Sequence, residues 1–288
     1  SIASAMADAL SEWVHQIVGE HSMVEVSPQT VHKAASSQRV VEILGSTGSR
    51  WFAKQVADAK SWRAEVHAYR NWVPALSGHA PSLRAADADL STILVTALPG
   101  GPVDTGDAEV HHRAGELLRR LHHSRPARPR RSPVTGGATK LAGVLQRHST
   151  LFSPWEIAFV RGCAEGMSRL PITDNVACHG DYRPHNWLVD DAGVVRVVDF
   201  GDAKWAVAAS EFAGLFYGPW WEDRALAAVF FDGYGRSLDE NEWDFVRRRV
   251  ALTAVMEIAF GHTQETAWKI RRGQSRLADL ISGYRVSI

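Results

Sequence analysis

Apolar residues recur at helical spacing near the start of the chain. Met6, Leu10, Trp13, Val14 and Ile17 predict an amphipathic helix over 3–18. The period then shortens. Segments 23–27, 38–45 and 50–57 are short and rich in β-branched and aromatic residues, so they predict strands, with Gly45-Ser46-Thr47-Gly48 as a hairpin loop between the last two. Helical spacing returns over 60–76 and ends near Pro74. A compact apolar strand over 91–98 runs into Pro99-Gly100-Gly101-Pro102, a strong breaker. Helix, antiparallel strands, helix and strand in this order predict a small α+β lobe of about 100 residues.

Past the breaker the pattern is mainly helical, starting with a helix over 107–123. Residues 124–137 hold three prolines and two glycines among many arginines and predict a flexible connection. A further helix is expected over 154–169. A strand pair follows, Asn186–Val189 and Val194–Asp199, around a turn at Asp190-Asp191-Ala192-Gly193. Helices over 207–217, 222–234, 239–261 and 263–282 complete the reading. The division expected is 1–98 for the first lobe and 99–288 for the second.

Composition narrows the function classes. The 288 residues carry 32 basic and 32 acidic side chains, a balance that argues against binding nucleic acid or an anionic membrane through a dominant basic field. Two cysteines without a CxxC pair suit a reducing cytoplasm rather than a disulfide framework. No stretch approaches the roughly 20 apolar residues that span a bilayer. Residues 1–10 show no signal-peptide pattern. The expected protein is cytoplasmic, a monomer or homodimer.

The chemistry concentrates in 178–204, CHGDYRPHNWLVDDAGVVRVVDFGDAK. It holds Asp181, then Asn186 five residues later, then Asp199 at the end of an apolar strand. Phosphoryl transfer asks little covalent help from a protein. It asks that an acceptor hydroxyl be aimed at the γ-phosphate and that cations neutralise the phosphate oxygens. One Asp for the hydroxyl, with one Asn and one Asp as hard oxygen ligands for magnesium, is a sufficient set. The hairpin between Asn186 and Asp199 is expected to bring both metal ligands to one end of two paired strands.

The motif His179-Gly180-Asp181-x-x-x-x-Asn186, followed by Asp199-Phe200-Gly201, resembles the aminoglycoside phosphotransferase and choline kinase-like family. The resemblance covers nearly the whole chain. It implies a two-lobed, protein-kinase-like α+β fold, with a small β-rich N-lobe, a mainly helical C-lobe and ATP or GTP held between them. It implies that Lys54 holds the α- and β-phosphates and that Glu65 pairs with it. Thr96 to Gly101, with Thr96 and Leu98 foremost, resemble the hinge that contacts the base through backbone. The Leu121-His122 helix ending is also similar.

The chain departs from the family at some points. The loop expected over the nucleotide reads Lys-Ala-Ala-Ser-Ser-Gln-Arg at 33–39, with Ser36 and Ser37 in place of glycines. His185 stands where the family often has glycine, and Glu211 where it usually has aspartate. His179 is expected to be structural rather than an acid or base. Arg183 is open between steadying phosphate or substrate and an ordinary salt bridge.

The acceptor is expected to be a small hydroxylated molecule, an antibiotic of aminoglycoside, macrolide or nucleoside type, which would make the chain a resistance enzyme. A metabolite such as choline or a sugar, or a silent nucleotide-binding pseudokinase, is the alternative. Residues from Asp199 onward include thirteen acidic and eleven basic side chains and five tryptophans, which leans towards a less cationic acceptor. Asp202, Trp220 and Trp221 are the acceptor-side candidates, although the aromatic run at 216–221 reads equally as core. The adjacent histidine pairs at 111–112 and 122–123 point about 100° apart on a helix and do not read as a zinc site. Arg247-Arg248-Arg249, set among acidic residues, reads as a solvated helix face.

Overall fold

A computed structural model describes residues 2–26, 39–133 and 137–286. The chain divides into two compact units. One is Ser1–Val103 with Pro184–Lys204, the other Asp104–Arg183 with Trp205–Ile288.

The first unit opens with α1 (Ile2–Val18), β1 (His21–Glu25), β2 (Arg39–Gly45) and β3 (Arg50–Gln55), then α2 (Ala59–Asn71), β4 (Leu83–Asp87), β5 (Thr92–Thr96) and the short β6 (Gly101–Pro102). Five of these strands form one antiparallel sheet in the order β1-β2-β3-β5-β4. Leu10 and Val14, one helical turn apart on α1, are buried against Val41, Ile43, Ala53 and Leu94 from the central strands. That stripe is the one the helical spacing predicts. Asp58 caps α2 by accepting from the Ser61 amide at 2.8 Å, and the helix stops at Asn71 ahead of a 3₁₀ turn over Val73–Leu76. Strand β4 is absent from the sequence reading. Its Leu-Arg-Ala-Ala-Asp contains no β-branched residue, and it is a strand because β5 offers it a partner.

In the second unit come α3 (Ala108–His122), β7 (Arg128–Pro129), α4 (Ala138–Arg147), α5 (Pro154–Met167) and β8 (Asp174–Cys178). Ser153 and Glu156 form a capping box at the start of α5. Helix α4 and strand β8 also escape the sequence reading. The chain then returns to the first unit for a hairpin, β9 (Trp187–Val189) and β10 (Val195–Val197). The expected boundary grouped this hairpin with the helical part. It sits in the first unit because β6 pairs with β9, and because residue 79 grips β10. The Val197 amide donates to the His79 carbonyl at 2.8 Å, and the His79 ring bonds the Val195 carbonyl at 2.9 Å.

The rest is β11 (Lys204–Ala206) followed by α6 (Ala213–Tyr217), α7 (Pro219–Glu222), α8 (Arg224–Tyr234), α9 (Glu240–Thr263) and α10 (Ala267–Ile281). Gly218-Pro219 falls in the gap expected between the helices over 207–217 and 222–234, where the short α7 begins, and Asp223 starts α8 as its N-cap. No helix among the described residues is long and apolar enough to cross a membrane.

Candidate active site

Strand alternation sets the first group. Ala53 faces the core under α1, so its neighbour Lys54 faces the opposite side of the sheet. There its ammonium donates to Glu65 Oε1 at 2.9 Å, from α2, and to Asp199 Oδ1 at 3.0 Å, 145 residues further along the chain. Glu65 is 1% exposed. Burial disfavours the charged ammonium, but the Glu65 and Asp199 carboxylates outweigh it and hold the Lys54 pKa above its ordinary value. Lys54, Glu65 and Asp199 thus stand as one charge cluster.

Local backbone shapes this cluster. Asp199 sits at φ 63°, a left-handed conformation uncommon for a residue with a Cβ and concentrated at functional sites. Gly201 follows, and its amide donates to Asp199 Oδ1 at 3.3 Å. A Cβ at 201 would lie 2.8 Å from Lys54 Nζ and 3.2 Å from Asp199 Oδ1, so only glycine fits without moving the lysine. Phe200 is fully buried and meets the Tyr69 ring edge-on at 5.5 Å, one helical turn beyond Glu65.

The hairpin delivers Asn186 to the same end. Val197 pairs with Trp187, and the next bond runs from the Val198 amide to the Asn186 carbonyl at 3.0 Å. Asp199 is therefore the residue after Asn186's partner. Asp190 closes the far end, accepting from the Ala192 and Val194 amides at 3.0 and 2.9 Å. The donor set is one carboxylate and one amide oxygen, which fits a hard cation such as magnesium and not a soft one. Asp202, an acceptor-side candidate, follows this cluster and is exposed.

Thr96 ends β5 with its amide donating to the Ser82 carbonyl at 3.0 Å and its hydroxyl accepting from the Ser82 amide at 2.9 Å. The Ala97 amide goes to the Arg50 carbonyl. Leu98 is half-buried just beyond. Ser36 and Ser37 lie outside the described residues.

Asp181 belongs to the second unit, on the loop after β8. The loop is pinned at successive residues. Gly180, at φ 86°, donates its amide to Glu211 Oε1 at 2.9 Å. The Asp181 amide donates to His179 Nδ1 at 3.2 Å, which fixes that nitrogen as an acceptor. The Tyr182 hydroxyl donates to the Ala114 carbonyl at 2.6 Å. His179, Tyr182 and Glu211 are all buried, and the Asp181 side chain is 6% exposed. Arg183 donates to Asp181 Oδ1 from Nε at 2.6 Å. Behind β8, buried His122, Cys178 and Glu211 form the one group of three metal-capable side chains among the described residues. His122 there bonds the Tyr234 hydroxyl at 2.8 Å. Burial, then Arg236 and His123, push its pKa down to about 3, so it is neutral.

The two acceptor-side tryptophans part company. Trp220 is fully buried and does not line a binding surface, contrary to expectation. Phe212, Phe216, Phe230 and Phe231 surround its ring at 5.0 to 6.4 Å, and its indole N–H donates to His111 Nδ1 at 3.2 Å. Trp221 points elsewhere and stacks on Tyr284 at 4.3 Å, with the Arg276 guanidinium 5.0 Å from its ring centre.

Solved structures share this fold. Choline kinase LicA from Streptococcus pneumoniae superposes with a TM-score of 0.68 at 13% identity, over 97% of this chain and 100% of that one. Aminoglycoside phosphotransferase APH(4)-Ia gives 0.67 at 12% identity, over 96% and 99%. Macrolide 2'-phosphotransferase MphH from Brachybacterium faecium gives 0.59 at 16% identity, over 94% and 97%. No curated protein matches the chain. The fold is the protein-kinase-like one of small-molecule phosphotransferases, and the chain is a phosphotransferase enzyme. It belongs to the phosphotransferase enzyme family (APH), which matches residues 29–250.

Proposed function

We propose that the chain transfers the γ-phosphoryl group of ATP or GTP to a hydroxyl of a small molecule, most plainly an antibiotic. The observation that carries this reading is the Lys54–Glu65–Asp199 cluster, with both bonds at or under 3.0 Å. A half-buried lysine held charged by two carboxylates is a preorganised phosphate anchor. Lys54, steadied by Glu65, would hold the α- and β-phosphates, and backbone near Leu98 would meet the base. Asn186 and Asp199 would hold magnesium, which when bound neutralises phosphate charge. Asp181 would orient the acceptor hydroxyl and take its proton as the new O–P bond forms, while the bond from the γ-phosphorus to the β–γ bridging oxygen breaks and the nucleoside diphosphate leaves.

Acceptor charge is the second element of the proposal. Arg183 keeps a half-exposed guanidinium against Asp181, which disfavours an ammonium group beside the reacting hydroxyl. A macrolide-like or nucleoside-like acceptor suits this better than a polycation. Choline, itself a quaternary ammonium, suits it less for the same reason. Incubating the protein with ATP or GTP, magnesium and a panel of hydroxylated antibiotics and metabolites, then looking by mass spectrometry for a gain of one phosphate, tests the reading. A phosphorylated macrolide or nucleoside supports it. No phosphorylated product from any acceptor with either nucleotide overturns it.

A further inference from the structure

A cleft of about 430 Å³ lies within the first unit, between the end of α2 and strand β4. Strand pairing sets the face it occupies. Lys54 pairs with Ile93, and Ile93 and Val95 stand on one face of β5. Their partners on β4, Ala86 and Leu83, therefore share the face of the sheet that carries Lys54. The register slips between Leu83 and Ala85, so Arg84 is the bulged residue of a strand that forms the sheet edge.

Tyr69, Val73, Pro74 and Leu83 give the cleft apolar walls. Two guanidinium groups line it as well, Arg70 from α2 and Arg84 from the bulge. Both residues are exposed, and neither has an ion-pair partner among the described residues. Apolar walls beside two unneutralised positive charges complement a small molecule with an apolar body and an anionic group, and the volume is that of a small-molecule site. A peptide strand added along β4 suits the edge less, because the bulge interrupts its row of backbone groups.

The cleft is joined to the Lys54 cluster by two routes. Tyr69, 5% exposed and one helical turn beyond Glu65, meets the Phe200 ring edge-on at 5.5 Å. Burial, then the Glu65 and Asp199 carboxylates, push the Tyr69 pKa up, which places the phenol within electrostatic reach of both. The segment 77–82 borders the other side of the cleft. It contains His79, whose carbonyl and ring hold Val197 and Val195 just ahead of Asp199.

We propose that this cleft is a regulatory site for a small amphipathic anion, whose binding clasps α2 to β4 and raises nucleotide affinity at the Lys54 cluster. A ligand that bridges α2 and β4 favours the arrangement in which Glu65 stands beside Lys54, so ligand and nucleotide favour one another. The coupling rests on the phosphate-anchoring role given to Lys54 above; the site itself does not.

The test uses the full chain with decanoate as probe, and decanol and decylamine as its neutral and cationic counterparts, all below micelle-forming concentrations. Calorimetric titration should give one decanoate site per chain, with decanol and decylamine at least about 10-fold weaker. Arg70→Ala and Arg84→Ala should each weaken decanoate by about 3- to 10-fold and leave nucleotide affinity in its absence within about twofold. Saturating decanoate should tighten magnesium-ATP or magnesium-GTP by about 3- to 10-fold, and saturating nucleotide should tighten decanoate by the same factor. Phe200→Leu should keep decanoate affinity within about twofold and bring that factor close to one.

No decanoate binding, binding unchanged in both arginine variants, or decanol bound as tightly as decanoate overturns the site. A decanoate site that leaves nucleotide affinity unchanged overturns the regulation. A wild-type chain that binds neither nucleotide counts against the phosphotransfer reading and removes the coupling with it, and the decanoate titrations of the wild type and the two arginine variants then still decide the site.

Discussion

The Lys54 cluster and the Asp181 loop carry their charged groups in opposite ways. Lys54, Glu65 and Asp199 come from a strand, a helix and a hairpin end far apart in sequence, and charge holds charge. The Asp181 loop is pinned at consecutive residues by two backbone amides and the Tyr182 hydroxyl, with Glu211 and Ala114 as distant anchors. The first arrangement makes the charge of Lys54 depend on its two carboxylate partners. The second fixes the backbone that carries one carboxylate. Substitutions should therefore damage binding in the first region and turnover in the second.

The largest effect should fall on the loop. Asp181→Ala is expected to lower turnover by at least about 10³-fold while nucleotide affinity and melting temperature stay near wild type. Nucleotide titration beside steady-state kinetics checks this, and a parallel loss of affinity would erase the contrast between the regions. Next comes the cluster. Asp199→Ala should abolish the magnesium dependence of nucleotide binding, and Asn186→Ala should weaken it less, since a carboxylate attracts a divalent cation more than an amide oxygen does. Titrations with and without magnesium, or after chelation, measure both. Equal effects in the two variants would mean that the hairpin does not present its residues as argued.

Neighbouring tryptophans sharpen the comparison within the second unit. Trp220→Ala truncates a fully buried ring and should cost about 3–5 kcal/mol of stability, read as a lower denaturant midpoint with all substrates impaired together. Trp221→Ala should leave stability within about 1 kcal/mol and act, if at all, on the acceptor KM. The smallest effect concerns pH. His122 has a folded pKa of about 3 against 6.5 unfolded, so the unfolded chain takes up a proton there first. Stability should fall as pH drops below 6.5, at up to about 1.4 kcal/mol per pH unit from this residue until its folded pKa is reached. Chemical denaturation between pH 7 and 5 should show a shallower fall in His122→Asn than in wild type.

The order and spacing of the candidate site's residues were legible in the chain before any fold. His179-Gly180-Asp181, Asn186 and Asp199-Phe200-Gly201 lie within one short segment, so local spacing alone fixes a loop, a hairpin and their order. The α1 stripe and the β2–β3 hairpin were equally local, because periodicity and turn residues act over a few positions. Strands β4 and β8 and helix α4 were not legible. The two strands have weak preferences of their own and their neighbours in the fold decide them, whereas α4 is rich in helix formers but short and next to a Pro- and Gly-rich stretch.

Tertiary structure alone decided three further matters. The burial of Trp220 and the exposure of part of Trp221 depend on where four phenylalanines from α8 and the 210s converge, since adjacent helical residues read alike in sequence. The hairpin's place with the first unit depends on β6 and His79, through backbone bonds and one bond from the His79 ring, all between residues far apart in the chain. The seat of Arg183 on Gly214, where a Cβ would fall 2.7 Å from Arg183 Cδ, joins residues 31 apart through a contact defined by a missing Cβ, and an absent atom leaves no periodic trace in the chain. The sequence alone determined which chemical groups this enzyme carries and their order. Packing determined which of them come together and which are buried, because orientation is set by contacts distant in the chain.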